Sequence, residues 1–319
     1  MPVNVIGNAL TSHLVKPVES KADGPVLREH VFGLPVDRGI LFTDEDNRYR
    51  PAIEMRQRKW IVKLLFLRPF LLAGERVLRI TSARSPVRWY EQLLTAGAFL
   101  GLERAFLVFT GYRILHIPTD SAYRYRQSIA QVRYRDIRRI RLRGGTLAID
   151  YKSGRSERFG GIPFRERKKI RQLLTAWPME KEVRHAVGRR HLCPRCRAVL
   201  SARGLRCRRC DLAFKSKSMA GLLALLFPGG GYFYVRQFYP AAVFFALETL
   251  VLAQLAASGT VHLPLETDRT MLIAGLTSLL AALKAAGWLH ARHFLAQYIP
   301  RHARLGRWTP PAMATLQEG

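Results

Sequence analysis

Apolar and polar positions change rhythm several times along the chain, and each change predicts a different kind of element. Residues 1–60 mix short apolar runs (VFGLPV, GILFT) with polar turns (TDEDNRYRP) and hold no period, so they read as an N-terminal extension. From 61 the texture is that of strands. LLAGERVLRITSA predicts a turn at Gly74 and then a strand in which Leu78 and Ile80 face a core while Arg79 and Thr81 face out. RAFLVFTGYRILHIP predicts a hairpin about Gly111, and SIAQVRYRDIRRIRLRGGTLAIDYKSGRSERFGGI extends the meander, broken at Gly144-Gly145 and at Ser153-Gly154. In PFRERKKIRQLLTAW, Phe164, Arg167, Ile170, Leu173, Leu174 and Trp177 recur at three- and four-residue steps, the mark of an amphipathic helix after a proline start. Strands first and one helix last predict a small α+β or barrel domain over 61–178.

Residues 85–105, SPVRWYEQLLTAGAFLGLERA, interrupt this meander. Ser85 and Pro86 give a helix-start signal, and LLTAGAFLGL is uncharged but too short to cross a bilayer. Two readings fit: a helix packed on the sheet, or a segment dipping into a membrane interface with Trp89 and Tyr90 at headgroup level.

Past Lys217 the charge disappears. SMAGLLALLFPGGGYFYV, 218–235, is apolar but holds Pro228 and three glycines, so it reads as a re-entrant, interfacial or kinked transmembrane segment. FYPAAVFFALETLVLAQLAA and MLIAGLTSLLAALKAAGWL approach the roughly 20 residues a bilayer requires and predict a transmembrane helical hairpin over 238–289. The other reading is two buried core helices. Glu248 and Lys284 fall on these spans at depths that a lysine side chain bridges, as a structural pair or as part of a proton or ion relay.

Charge changes the picture. The 319 residues carry 52 Lys+Arg against 23 Asp+Glu, a net +29. The stretch 124–209 alone holds 26 basic and 6 acidic residues. Such a surface attracts phosphate, whether of anionic lipid or of nucleic acid, unless it is simply a solvated face. In a continuous strand Arg133, Arg135, Arg139, Arg141 and Arg143 share one face, and Arg165, Arg167, Lys168 and Lys169 add to it from the following helix. Aromatic residues suited to base stacking are few there, with Tyr123, Tyr125, Tyr134 and Tyr151 the candidates. Basic residues flank the apolar spans at both ends, while the loop between them holds Glu266 and Asp268 against one arginine. The positive-inside rule then places both ends, including a basic tail over 290–319, in the cytoplasm, and the opening residues lack the pattern of a secretory signal.

All four cysteines lie in HLCPRCRAVLSARGLRCRRCDLAF as C-x2-C-x10-C-x2-C: Cys193, Cys196, Cys207 and Cys210. Two such knuckles converge four thiolates on one tetrahedral ion, so 190–214 predicts a ribbon around a structural Zn2+; the alternative is two disulfides, which a reducing cytoplasm disfavours. His191 reads as a flanking residue. The arginines around the knuckles suit the −2 formal charge of a tetrathiolate zinc centre.

GERVL, LVFTGYRILHI, SIAQVRYRDIRRI and a helix beginning near ERKKI together resemble the bacterial PH-like domain, over about 70–178. That resemblance implies a bent antiparallel sheet or barrel plugged by a C-terminal helix. The order PH-like domain, four-cysteine ribbon, PGGGYFYVRQFYP is similar to uncharacterised bacterial membrane proteins, which implies the bacterial inner membrane and no activity. No nucleotide loop, zinc-protease or nucleophile-elbow motif is present, and no small-molecule substrate is evident. The expectation is a non-enzymatic membrane scaffold or adaptor that binds anionic lipid headgroups, a protein partner, or both. The competing expectation is a membrane tether for RNA or the ribosome.

Overall fold

Alternation in β4 (Arg104–Thr110) and β5 (Arg113–Pro118) is apolar on both sides, and the chain accordingly covers both faces of the sheet they form. The computed structural model describes residues 30–86, 104–176, 188–201, 204–260 and 266–301. It is an α+β structure with antiparallel sheets. β3 (Val77–Arg84), β4, β5, β6 (Ile129–Arg133) and β10 (Arg190–Leu192) form a five-stranded sheet in the order β10-β6-β5-β4-β3. β7 (Ile137–Arg143), β8 (Thr146–Tyr151) and β9 (Ser156–Phe159) form a second, three-stranded sheet. Leu107, Phe109 and Val132 from the first sheet, Leu147, Ile149 and Phe159 from the second, and Ile170, Leu173 and Leu174 from α3 (Phe164–Ala176) share one core. The helix presents these three apolar residues on one side, as its period predicts.

The other face of the large sheet is covered by the described part of the N-terminal stretch. β1 (His30–Val31), β2 (Leu34–Pro35), α1 (Arg38–Leu41), α2 (Pro51–Lys63) and a 3-10 turn (Leu65–Phe70) place Leu34, Leu41, Ile61, Leu64 and Leu67 against Ile80, Phe106, Val108, Leu115 and Ile117. The aperiodic pattern that hid this layer has a cause: its apolar residues come from short pieces and turns, not from one long face. Gln57 of α2 closes the edge of β3, its amide donating to the Ile80 carbonyl at 2.9 Å and accepting the Ile80 N–H at 3.3 Å.

The expected facing of β3 is corrected here. A register shift between Val77 and Arg79 puts Leu78 in the core shared with the second sheet and Ile80 in the core under the N-terminal layer. Arg79 and Thr81 are buried, because no face of this sheet meets water.

The C-terminal region contains two helices long and apolar enough to cross a membrane, α6 (Phe238–Thr260) and α7 (Glu266–Leu295). Their most apolar windows are only 28% and 11% buried within the chain, whereas core helices of a soluble fold are mostly buried. Ahead of them α4 (Lys217–Leu226) breaks at Phe227–Gly229, and α5 (Gly230–Tyr234) runs back: the Ser216 N–H donates to Tyr234 Oη at 3.1 Å. Glycine is required at the break. Gly229 has φ 64°, and a Cβ on Gly230 would lie 2.1 Å from the Leu223 carbonyl oxygen. The insertion core 87–103, the tail 302–319, residues 1–29 and Trp177 lie outside the described residues.

Candidate metal centre and basic surfaces

The two cysteine knuckles adopt one backbone conformation. Cys193 N–H donates to the Ala198 carbonyl and Cys207 N–H to Leu212, each five residues on, at 2.8 and 3.0 Å. Arg197 and Asp211, each four residues after the first cysteine of its knuckle, have φ of 64° and 53° and donate back to the carbonyls of Cys193 and Cys207. This turn aims both sulfurs of a knuckle to one side. All four Sγ atoms lie within 4.8 Å of one another, with Cys193–Cys210 and Cys196–Cys207 at 3.5 Å, and no disulfide joins them. Sulfurs around a tetrahedral ion at a Zn–S distance of about 2.3 Å stand about 3.8 Å apart, so the donor set and spacing suit such an ion.

Backbone N–H groups support thiolates there. Burial raises the Cys207 thiol, but the N–H groups of Arg209 and Cys210 outweigh it and bring it down to about 7. The equivalent N–H groups of Arg195 and Cys196 face Cys193, where deeper burial prevails and holds the thiol above its ordinary range. Arg195, Arg197, Arg206, Arg208 and Arg209 are exposed around the centre. His191 does not join the four sulfurs: it lies on β10, which pairs with β6, and its ring is tilted against Tyr298 with centres 4.8 Å apart.

The ribbon is tied to its neighbours on every side. Through β10 it extends the sheet, Arg197 donates to the Pro69 carbonyl at 2.8 Å, and Tyr298 just beyond α7 donates to the Ser201 carbonyl at 2.8 Å. Lys215 N–H donates to Ile299 at 3.0 Å and Arg301 N–H to Ala213 at 2.9 Å. The β5–β6 connection grips the same end of the helices: Ser128 Oγ donates to the Gln297 carbonyl, and the Arg126 guanidinium stands 4.7 Å from the Phe294 ring centre. These contacts between the sheet domain, the ribbon and the apolar helices were invisible in the sequence, since Arg126 and Tyr298 carry no local motif.

The proposed basic face divides. A 3-10 turn at Tyr134–Asp136 interrupts the expected continuous strand, leaving Arg133 at the end of β6 and Arg135 exposed on the turn. Arg139, Arg141 and Arg143 do share an exposed side of β7, alternating with Ile140 and Leu142. Arg158 stands beside them through Ala148, and Asp150, 3.3 Å from Arg141, is the carboxylate that pairs there. Arg165 is exposed, Lys168 is exposed and 3.2 Å from Glu45, and Arg167 is half-buried against Phe164, donating to the Ile162 carbonyl. Lys169 is corrected: it is buried, donating to Asn47 Oδ1 at 2.7 Å and Thr43 Oγ1 at 3.1 Å, and belongs to no surface. Both partners belong to the N-terminal layer, which the sequence did not place over α3.

Glu248 and Lys284 meet. Lys284 Nζ lies 2.7 Å from Glu248 Oε2 and donates to the Phe227 carbonyl at 3.2 Å, where α4 breaks. The cation thus sits at the negative end of a helix and beside a carboxylate at once. Tyr232 Oη and His290 Nδ1, 3.0 Å apart, form a second polar contact between α5 and α7.

Ser85 Oγ lies 3.0 Å from His116 Nε2, the geometry of a nucleophile and its base, and the tautomer decides against it. Arg189 Nη1 is 3.0 Å from His116 Nδ1, and a guanidinium only donates, so Nδ1 accepts and the ring proton sits on Nε2. That nitrogen donates to the serine and cannot take its proton.

The class is therefore an α+β protein with a cysteine cluster compatible with a metal ion such as zinc and two helices fit to cross a membrane. No family model, curated protein or solved structure matches this chain.

Proposed function

We propose that the chain is a zinc-carrying, membrane-anchored, non-enzymatic scaffold of the PH-like kind, seated in the cytoplasmic membrane of a bacterium. In this reading α6 and α7 cross the bilayer, α4 and α5 form a re-entrant hairpin, and the sheet domain and ribbon stand on the cytoplasmic side, recruiting anionic lipid headgroups and a protein partner. The observation that carries it is the clamp at the helix ends: Arg126, Ser128, Ser201 and Lys215 all engage residues 234–299. A domain so held keeps its basic surface near the headgroups, where each basic residue contributes about 1 kcal/mol within about a Debye length. Ser85 and Arg104, which flank the apolar insertion, belong to that end of the sheet, because Arg104 donates to the Ser121 carbonyl in the connection that holds Arg126.

The test compares lipid with RNA, since salt weakens both kinds of binding. The full chain in nanodiscs containing anionic lipid should protect β7 from hydrogen exchange more than in neutral nanodiscs, and Arg139→Ala/Arg141→Ala/Arg143→Ala should abolish the difference. In cells the same triple variant should leave RNA recovery after ultraviolet crosslinking unchanged. Abundant RNA on the wild type that the triple variant loses would replace the lipid scaffold by an RNA tether.

A further inference from the structure

Among the described residues several buried or partly buried cations are answered by carboxylates, while Lys169 is held by Asn47 and Thr43. Arg79 and Arg56 meet Glu166, Arg113 meets Glu75, and Lys284 meets Glu248. The turn from α5 to α6 is different. Lys215, 8% exposed, donates from Nζ to the Tyr234 carbonyl and lies 4.9 Å from the centre of that ring. Arg126 donates from Nη2 to the next carbonyl, Val235, at 3.3 Å, and with the Gln237 amide oxygen turned toward it makes two more bonds of 2.7 and 3.0 Å. Arg236, exposed and with φ 61°, follows in the chain. Three cations thus converge on residues 234–237, and among the described residues none has a carboxylate within ion-pair distance. Backbone carbonyls hold two of them in place but carry only partial charge, and Asp120, the carboxylate whose charge reaches Arg126, is paired with Arg124, which leaves a net positive site. Its field is felt by Lys215, whose ammonium is pushed down to about 8 by burial and by the charges of Arg236 and Arg126.

An apolar groove of about 470 Å3 adjoins this site, lined by Leu223, Phe227, Pro228, Phe233, Tyr234 and Phe245. Tyr234 belongs to both: it lines the groove, and its carbonyl holds Lys215. Phe227, Phe233 and Phe245 are exposed along it. A charged head beside a hydrocarbon-lined channel of ligand size has the polarity of one amphiphile.

We infer that this place is the seat of a single anionic glycerophospholipid, its phosphate at Arg236, Lys215 and Arg126 and one acyl chain along the groove between α4, α5 and α6. The inference rests on the membrane placement proposed above, and it does not involve the basic face of β7.

The experiment uses the full chain, delipidated in mild detergent and titrated under native mass spectrometry with dioleoyl phosphatidylglycerol, dioleoyl phosphatidylcholine or inorganic phosphate. One phosphatidylglycerol should bind per chain, at least about tenfold more tightly than phosphatidylcholine. Arg236→Gln should weaken it about fivefold, the equivalent of about 1 kcal/mol for one basic residue, while Arg236→Lys retains it. Leu223→Trp, which fills the groove, should weaken the lipid and leave phosphate binding as it was. Equal binding of the two lipids, an unaffected Arg236→Gln, or phosphate competing at the same concentration as the lipid would each overturn the seat. Loss of the lipid in the β7 triple variant would move the binding to the sheet and overturn it too. Release of the chain from membranes by alkaline carbonate is the separate result that would sink the membrane reading itself.

Discussion

Arg79 Nη2 stands 2.7 Å from Glu166 Oε2, with the two side chains 1% and 0% exposed. Arg56 reaches the other carboxylate oxygen at 2.6 Å, so one acid joins β3, α2 and the first turn of α3. Arg79 also donates to the carbonyls of Leu41 and Thr43, which draws the N-terminal layer into the same junction. Desolvating these charges is costly, and their attraction offsets that cost only while every member is present.

Removing the shared acid should therefore be expensive. Glu166→Ala is expected to destabilise the domain by about 3–5 kcal/mol, and Arg79→Met/Glu166→Met by clearly less, because no buried charge is stranded at Arg79. Denaturant unfolding followed by tryptophan fluorescence measures this, since Trp60 lies 5.9 Å from Phe106 beneath the sheet. A Glu166→Ala midpoint equal to the wild type would show that the junction contributes nothing.

The metal centre predicts about one zinc per chain by elemental analysis. Cys207→Ser should lose it, and exchange protection should fall at Ser201 and Tyr298, which the ribbon holds. Metal-stripped protein under mild oxidation should pair Cys193 with Cys210 and Cys196 with Cys207, the sulfurs already 3.5 Å apart. Peptide mapping that finds Cys193 joined to Cys196 would contradict the geometry.

In the apolar region the weight falls on Lys284. Lys284→Met strands the Glu248 carboxylate and frees the Phe227 carbonyl, whereas Lys284→Met/Glu248→Gln leaves no charge behind. Unfolding in mixed micelles should rank the single variant as the least stable, by about 1–3 kcal/mol. If the double variant proves worse, the pair has a role beyond mutual neutralisation.

Orientation is checked by labelling. A cysteine at Thr260 should react with an impermeant reagent added outside intact cells, and one at Gly306 should not. The reverse pattern would invert the proposed topology, and labelling of both would require an odd number of crossings.

Lys169 predicts an alkaline effect. Burial pushes its ammonium down to about 8, below the ordinary lysine value of about 10.4. Between those values the unfolded chain still holds a proton that the folded chain has released, so stability should rise with pH across that window. Lys215, also pushed down to about 8, contributes in the same direction. Lys169→Met should flatten part of the rise in unfolding midpoint measured from about pH 8 to about pH 10; an unchanged slope would mean the folded chain keeps this lysine charged.

By itself the sequence determined what depends on neighbours along the chain. The cysteine spacing specifies two knuckles, because each turn is closed by hydrogen bonds within five residues. The alternation of β7 specifies the exposed arginines 139, 141 and 143, and long apolar runs specify α6 and α7. The proline and glycines at 228–231 specify a break in the apolar segment, since only glycine tolerates such close backbone approach. The tertiary structure alone decided whatever depends on a partner distant in sequence. Arg79 reads as a wet residue in an alternating strand until a second layer covers that sheet and Glu166 arrives to neutralise it. Lys169 reads as one more cation in a basic run until Asn47 and Thr43 enclose it. Arg126 and Tyr298 carry no pattern at all, because their partners Val235 and Ser201 lie 109 and 97 residues away along the chain.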